Sequence, residues 1–419
     1  MTTNEKLQET QYDVIVIGGG PAGMMAAGTA GARGKKVLLI EKNKKLGEKL
    51  RITGGGRCNI ANNEPDIRKL LARYGKAEQF LYSSFAQFGV KETFDFFESR
   101  GLPLITEAGN RAFPHTERAI DVERVMEQYC KAGNVTVLTD APVKRIIADG
   151  GVITGVVAKS TTYTAKSFIV ATGGMSHPET GSTGDGFAWL RNLGHTVADA
   201  TPSIVPIAVK DAWIKSLAGI TLSNMKIQFF ADDKKQFSKS GNVLFTHFGL
   251  SGPLILNSAK DIGDLLHSGT VTGTIDVYPK KDFSVLDQEI LALFDAHKNK
   301  TFKNIAKEFM PPGMSSAILS LFDESLQEKK VHSVSKEERK LIVHTLKALP
   351  FTVKELMGYD RAVVADGGIP VTEIDMRTFA SKKYPNLYLT GDLLHVNRPT
   401  GGFSLQLCWT TGYVAGNHA

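Results

Sequence analysis

The sequence predicts an α/β protein in which a Rossmann-like dinucleotide-binding domain is interrupted by a β-barrel insert with a small helical subdomain. Three observations predict this. Near the N-terminus a short apolar strand runs directly into a glycine fingerprint and an alanine-rich helix. Close to the C-terminus another apolar strand ends in Gly-Asp, at Tyr388–Asp392. Between them, from about Pro202 to Pro350, the pattern changes to alternating strands and then to helical stripes. The expected division is 1–200 with 351–419 for the discontinuous nucleotide domain, 201–284 for the barrel part and 285–350 for the helical part.

At 419 residues the chain is long enough for two or three domains and a large core. Its 42% hydrophobic and 22% charged residues are those of a globular protein. Three cysteines (Cys58, Cys130, Cys408) form no close pair, which argues against a disulfide scaffold or a zinc site and fits a reducing compartment. No His, Asp or Glu spacing suggests a metal. The start, MTTNEKLQETQYD, lacks the positive n-region of a signal peptide, and the apolar run after it is broken by glycine and proline. The expectation is a cytoplasmic protein with no membrane association. Oligomeric state is not legible.

The net charge of +7 is unevenly spread. Between Arg33 and Arg57 nine basic residues face only Glu41 and Glu48. A solvated lysine-rich loop accounts for such a run. Its field would also favour a polyanion, either cofactor phosphate or nucleic acid.

Val14 to Ile17 reads as a strand buried on both faces. Gly18-Gly-Gly20-Pro21-Ala22-Gly23 follows at once, then the helix, a second strand (Lys36–Ile40) and Glu41. Strand, fingerprint, helix and a following acid are the context a dinucleotide site requires. Gly18 permits the tight turn, Gly20 admits a pyrophosphate to the helix N-terminus, and Gly23 allows close helix–strand packing. Glu41 would accept hydrogen bonds from ribose hydroxyls, with Lys42 beside it.

Two later segments choose the dinucleotide. Phe168-Ile-Val-Ala171-Thr172-Gly173-Gly174 is another buried strand ending in small residues. Tyr388-Leu-Thr-Gly391-Asp392 is a third, followed by Gly401-Gly402 and a small-residue helix, roughly Leu405 to Ala415. An N-terminal fingerprint with a C-terminal strand-Gly-Asp is the layout of glutathione-reductase-type FAD domains. There the aspartate holds the ribityl chain and the last helix, here opening near Phe403, points its N-terminus at the flavin. The cofactor expected is non-covalent FAD. Val143 belongs to the same expected contact set.

The stretch Arg51-Ile-Thr53-Gly54-Gly55-Gly56-Arg57-Cys58-Asn59 lies just beyond Glu41 and is expected to run along pyrophosphate and flavin. Backbone amides pressed against the ring edge would leave no room for a Cβ. Arg51 and Arg57 would stabilise phosphate or charge on reduced flavin.

RITGGGRCN, Arg111-Ala-Phe-Pro-His115, Ala-Thr-Gly-Gly174, Phe245-Thr-His-Phe-Gly-Leu-Ser-Gly-Pro253 and Thr400-Gly-Gly-Phe403 together resemble the BaiN/RdsA family of FAD-dependent oxidoreductases, over essentially the whole chain. The resemblance implies reduction of carbon–carbon double bonds, in rings A/B of bile-acid derivatives or in a uridine of 23S rRNA. Some relatives are described as amine oxidases. One departure is visible: after Asp392 the chain reads LLHVNRPT, where an acid and a glycine in the LDVDGPTGG manner are expected. His395, Asn397 and Arg398 change the charge there.

Reducing an activated C=C takes a hydride at one carbon and a proton at the other. Bound flavin supplies the hydride. Cys58, directly after the glycine loop and Arg57, is a candidate acid, although a positive setting favours thiolate. The other reading makes it a packing residue. His247, in a rigid Thr-His-x-Gly-x-Ser-Gly-Pro turn, is the second candidate acid; the alternative is a structural histidine. His115 and His177 adjoin prolines in loops. Cys130 and Cys408 read as packing, and Ser251 lacks the strand–Ser–helix setting of a nucleophile. No second strand–GxGxxG–helix unit is present, so NAD(P)H is expected to visit the flavin face transiently. The expected function is NAD(P)H-linked reduction of uridine to dihydrouridine in 23S rRNA. Alternatives are an amine oxidase, a steroid-type C=C reductase, or a non-catalytic flavin-carrying RNA-binding factor.

Overall fold

A computed structural model describes residues 11–419. The stretch read for a signal peptide lies largely outside the described residues. The chain divides into two compact units, Met1–Pro202 with Ala362–Ala419, and Ser203–Arg361.

The first unit is built on a seven-stranded sheet. Strand β1 (Tyr12–Ile17) lies at the centre of its five parallel strands, flanked by β2 (Val37–Ile40) and by Ala165–Val170. Thr136–Leu138 extends the parallel set on one side and Leu387–Leu389 on the other. Two short antiparallel strands, Ala380–Ser381 and Ile374–Asp375, finish the far edge. Val14 to Val16 are fully buried, as a parallel strand covered on both faces demands. Each such side chain contributes about 1.5–3 kcal/mol relative to exposure. Helix α1 (Pro21–Ala32) buries every residue from Ala22 to Gly31, so its small side chains serve close packing on all sides. The terminal helix, Phe403–His418, is likewise buried along most of its length.

The second unit contains a closed six-stranded antiparallel barrel, ordered Ile207–Val209, Gly249–Ser251, Lys234–Phe245, Thr221–Ala231, Val271–Asp276 and Leu349–Leu356. Ile227, Phe229, Phe245, Ile275 and Phe351 fill its core. The helices, from Phe283–Ala296 to Lys336–Lys347, fall between its last two strands. A capping box fixes the start of the latter: Ser335 Oγ accepts from Glu338 N at 3.2 Å, and Glu338 Oε2 accepts from Ser335 N at 2.7 Å.

The expected return to the nucleotide domain at residue 351 is corrected here. Leu349, Phe351 and Val353 alternate inward, and their strand closes the barrel, so the second unit runs on to Arg361. The helical stripe before it masked this period-two signal.

Candidate active site

The carboxyl ends of the parallel strands open on a cleft lined entirely by first-unit residues. The fingerprint turn forms its floor. Gly18 has φ 105, and a Cβ there would come 2.5 Å from the Ala171 carbonyl oxygen. A Cβ on Gly23 would lie 1.8 Å from Gly18 O. Gly23 therefore packs behind the cleft rather than lining it. Gly20 is different: a Cβ there would meet nothing within 4 Å. It opens α1 with no side-chain cap, leaving first-turn amides free for an anion.

Glu41 stands at the end of β2 and is buried. Burial raises its pKa, while two amides that donate to its carboxylate, Gly19 N and Asn43 N (both 2.7 Å), work against that. It therefore braces the fingerprint turn as well as lining the cleft. Gly18, Gly20, Pro21, Ala22, Glu41, Lys42, Thr53, Val143, Ala171, Thr172, Gly173, Gly391 and Asp392 all line this one cleft. Sequence reasoning missed several others. Lys49 projects from the short helix Glu48–Ile52, Ser404 and Cys408 come from the terminal helix, Ser182 and Thr183 come from a loop across the cleft, and Asp185 opens the helix that follows it. That loop is tethered to the opposite wall. Asn43 Nδ2 donates to Thr180 O (2.9 Å), and Lys42 Nζ to Thr183 Oγ1 (2.6 Å) and Asp185 Oδ2 (2.9 Å). No local pattern announces such tethers, which span more than 130 positions.

The glycine loop departs from expectation. Gly54, Gly55 and Gly56 all have left-handed φ (57, 67 and 87°), and Cys58 follows at 63°. This backbone, rather than close contact alone, requires glycine. Gly55 and Gly56 are exposed, with open space where a Cβ would stand. Arg51 and Arg57 are not free cations: Arg51 pairs with Glu123, and Arg57 with Glu107 (2.5 Å) and Glu117 (2.6 Å) while stacking over Phe113. Neither lines the cleft.

Cys58 is fully buried in the hydrophobic core, and burial pushes its thiol up to about 12, against a hydrogen bond with Thr53. The expected thiolate-favouring environment is thus corrected: the arginine charge is spent on carboxylates, and desolvation wins. Cys58 does not line the cleft, and it reads as a packing residue. Cys130 and Cys408 are also buried, each pushed up to about 12 by burial, and all three thiols are free.

The loop's exit is joined to the C-terminal glycine pair. Asn62 Nδ2 donates to Gly401 O (2.9 Å) and Gly109 O (3.1 Å). With its amide oriented to satisfy its neighbours, Asn59 accepts from Gly402 N at 3.0 Å. Tyr74 Oη donates to Phe403 O at 2.9 Å. In the LLHVNRPT segment, Arg398 is buried and donates to Asp392 Oδ1, Val396 O (2.7 Å) and Ser404 Oγ (3.0 Å). Its charge is neutralised by Asp392, and it clamps the segment to the helix. His247 belongs to the second unit, exposed on the turn between Phe245 and Gly249, with its ring edge-on to Phe248.

The residues present fit FAD. Gly20 leaves an open cradle at a helix N-terminus, and Thr172 Oγ1, which belongs to a cleft-lining residue, is buried without a partner. Bound flavin would supply redox chemistry; this chain's residues supply the cradle, the Asp392 carboxylate and the terminal-helix N-terminus beside it.

Fold and site together define a Rossmann-type FAD-binding oxidoreductase. A family model, the HI0933-like protein Rossmann domain, matches residues 12–418, and the chain belongs to that family. A 3-dehydro-bile acid delta(4,6)-reductase of Clostridium scindens is 28% identical, covering 96% of this chain and 98% of the relative. A ribosomal RNA dihydrouridine synthase of Escherichia coli is 26% identical over 96% of this chain and 97% of its own length. One of the same description from Haemophilus influenzae is 27% identical over 97% and 98%. Among solved structures, a 3-ketosteroid-delta4-(5alpha)-dehydrogenase of Rhodococcus jostii shares the fold at TM-score 0.53 and 15% identity, over 99% of this chain and 98% of that one.

Proposed function

We propose that the protein uses NAD(P)H-derived reducing equivalents, held on FAD, to reduce the C5–C6 double bond of a uridine in 23S rRNA, in a reducing cytoplasmic setting. The observation that carries this reading is the pair of full-length relatives named as ribosomal RNA dihydrouridine synthases. The exposed Lys44 and Lys45 agree with a polyanionic substrate.

When bound, FAD supplies the hydride. The chain's own residues bind and orient. Gly18–Ala22 and the α1 N-terminus would cradle the pyrophosphate, Glu41 would face the adenosine ribose, and Asp392 the ribityl chain. Thr53, at the entrance of the glycine loop, and Ser404, just after Gly401–Phe403, would border the ring. Cys58 is withdrawn as the proton donor because its thiol is buried away from the cleft. His247 remains the candidate donor. The deciding experiment maps dihydrouridine in rRNA from a strain lacking the gene, by mass spectrometry or sequencing. Loss of one dihydrouridine, restored by the wild-type gene, supports the reading; an unchanged map ends it.

The bile-acid relative, 28% identical over 96% of this chain, favours a second reading, a small-molecule C=C reductase acting on a steroid-type enone. NAD(P)H oxidation dependent on such an enone, with no RNA requirement, selects it.

A further inference from the structure

Two ammonium groups line the cleft among the described residues, those of Lys42 and Lys49. Lys42 is spent on Asp185 at 2.9 Å. The guanidiniums nearest the site are spent as well, Arg51 on Glu123, Arg57 on Glu107 and Glu117, and Arg398 on Asp392. Lys49 differs from all of them. Its Nζ donates to Ser176 Oγ at 3.1 Å, and no ion pair joins it to a carboxylate among the described residues.

Lys49 keeps part of its surface open, yet the surrounding protein is dense enough that burial lowers its pKa, against the more distant pull of Asp392. A desolvated cation short of a counter-ion is costly, and functional sites are where folds retain one. Its place in the cleft narrows what completes the pair. Nζ lies 3.9 Å from where a Gly173 Cβ would stand, beside the wall formed by Ala171–Gly173. Asp392, Cys408 and Arg398 are the other charged or ionisable groups that bear on it, along with Glu179. It thus stands on the cleft wall at Ala171–Gly173, within electrostatic reach of Asp392 and of Cys408 on the terminal helix.

We propose that Lys49 is the charge partner of an anionic group of the bound flavin nucleotide. This rests on the FAD reading. Two parts of FAD offer such a group: the pyrophosphate, which is anionic in every redox state, and the ring system, which becomes anionic only on reduction. Lys49 meets either with the same ammonium chemistry, and the two are separable by experiment.

The test compares Lys49→Met, Lys49→Arg and wild type as apoproteins titrated with FAD and with ADP, which carries the pyrophosphate without the flavin. It then measures the two-electron potential of each holoprotein. If the pyrophosphate is the partner, Lys49→Met weakens FAD and ADP binding alike, by roughly 10- to 100-fold, and leaves the potential unchanged. If the reduced ring is the partner, oxidised FAD and ADP bind as before and the potential falls by about 30 mV per tenfold loss in affinity for the reduced form. Lys49→Arg restores most of the loss in either case. Unchanged affinities together with an unchanged potential overturn the proposal. The Met apoprotein should be at least as stable as wild type, since an unmet charge has been removed; a clearly lower thermal midpoint overturns the premise. Failure of the FAD reading looks different, because wild type itself would then bind neither nucleotide.

Discussion

Asn62 donates from Nδ2 to the Gly401 carbonyl at 2.9 Å, across 339 positions of sequence. The same amide reaches Gly109 O at 3.1 Å, so one buried side chain ties the glycine loop's exit, the 104–114 hairpin and the entrance of the terminal helix. Asn62→Ala leaves two carbonyls without this donor, which costs roughly 1–3 kcal/mol of stability. Chemical denaturation should register that loss, and FAD affinity should fall with it. A variant as stable as wild type, with unchanged FAD affinity, counts against this joint as the element that sets the site.

The fingerprint glycines separate fold from ligand. Gly20 has φ −79 and open space around a Cβ, so Gly20→Val should fold normally yet lose flavin, its side chain filling the cradle. Gly23→Ala should instead destabilise the apoprotein, because its methyl would stand 1.8 Å from Gly18 O. Purified wild type should be yellow and release FAD, not FMN, on denaturation. A colourless protein binding only NAD would falsify the cofactor assignment.

Cys58 yields a prediction about alkaline pH. Its folded-state pKa of about 12 lies above the roughly 8.5 of an unfolded cysteine. The folded chain therefore keeps a proton that the unfolded chain releases, so this contribution is complete below about pH 8.5 and is lost as pH rises toward 12. Thermal midpoints measured between pH 8 and 11 should fall less steeply for Cys58→Ala than for wild type. Product formation at neutral pH should be nearly unchanged in the same variant, and native protein should resist thiol alkylation there. A large drop in turnover with FAD content intact would return Cys58 to the mechanism.

These outcomes turn on what was local in sequence and what was not. Gly18–Gly23, Glu41, Ala171–Gly173 and Gly391-Asp392 were legible because strand, turn and acid follow one another within a few residues, and the cleft gathers them. Arg51 and Arg57 were misread as free cations because the carboxylates that neutralise them, Glu123 and Glu107, lie 72 and 50 positions away. Cys58 was misjudged for the same reason: distant packing decides its burial. Lys49 went unnoticed because nothing in LGEKLRI distinguishes a cleft-facing lysine from a solvated one. The barrel's closing strand was lost at one edge, where Leu349 ends a helical stripe and begins an alternating one.

His247 is the surviving candidate proton donor. It is exposed, so replacing it should leave stability and FAD content unchanged. If it donates the proton, His247→Gln should slow product formation by roughly 10²–10⁴-fold while NAD(P)H still reduces the flavin at the wild-type rate. Stopped-flow measurement of the two half-reactions separates these. Full product formation by the variant transfers the role to water.

Lys44 and Lys45 give the sharpest test of substrate. Of the basic residues between Arg33 and Arg57, Lys42, Arg51 and Arg57 are tied to carboxylates, and Arg33 donates to Gly416 O and Ala419 O at the C-terminus. Lys44 and Lys45 are exposed, and they border a groove with Lys131 whose walls include Val135 and Val137. If a phosphate backbone lies there, reversing Lys44 and Lys45 to Glu should preserve FAD content, because neither residue lines the cofactor cleft. It should weaken binding to 23S rRNA fragments and flatten the log–log salt dependence by about 0.7–0.9 for each phosphate that is no longer neutralised. Turnover of a small enone should not change, since that reaction needs no polyanion track. Equal RNA affinity and equal salt slope in wild type and the double variant would move the RNA site elsewhere. Absence of RNA binding by wild type would leave the small-molecule reductase as the function.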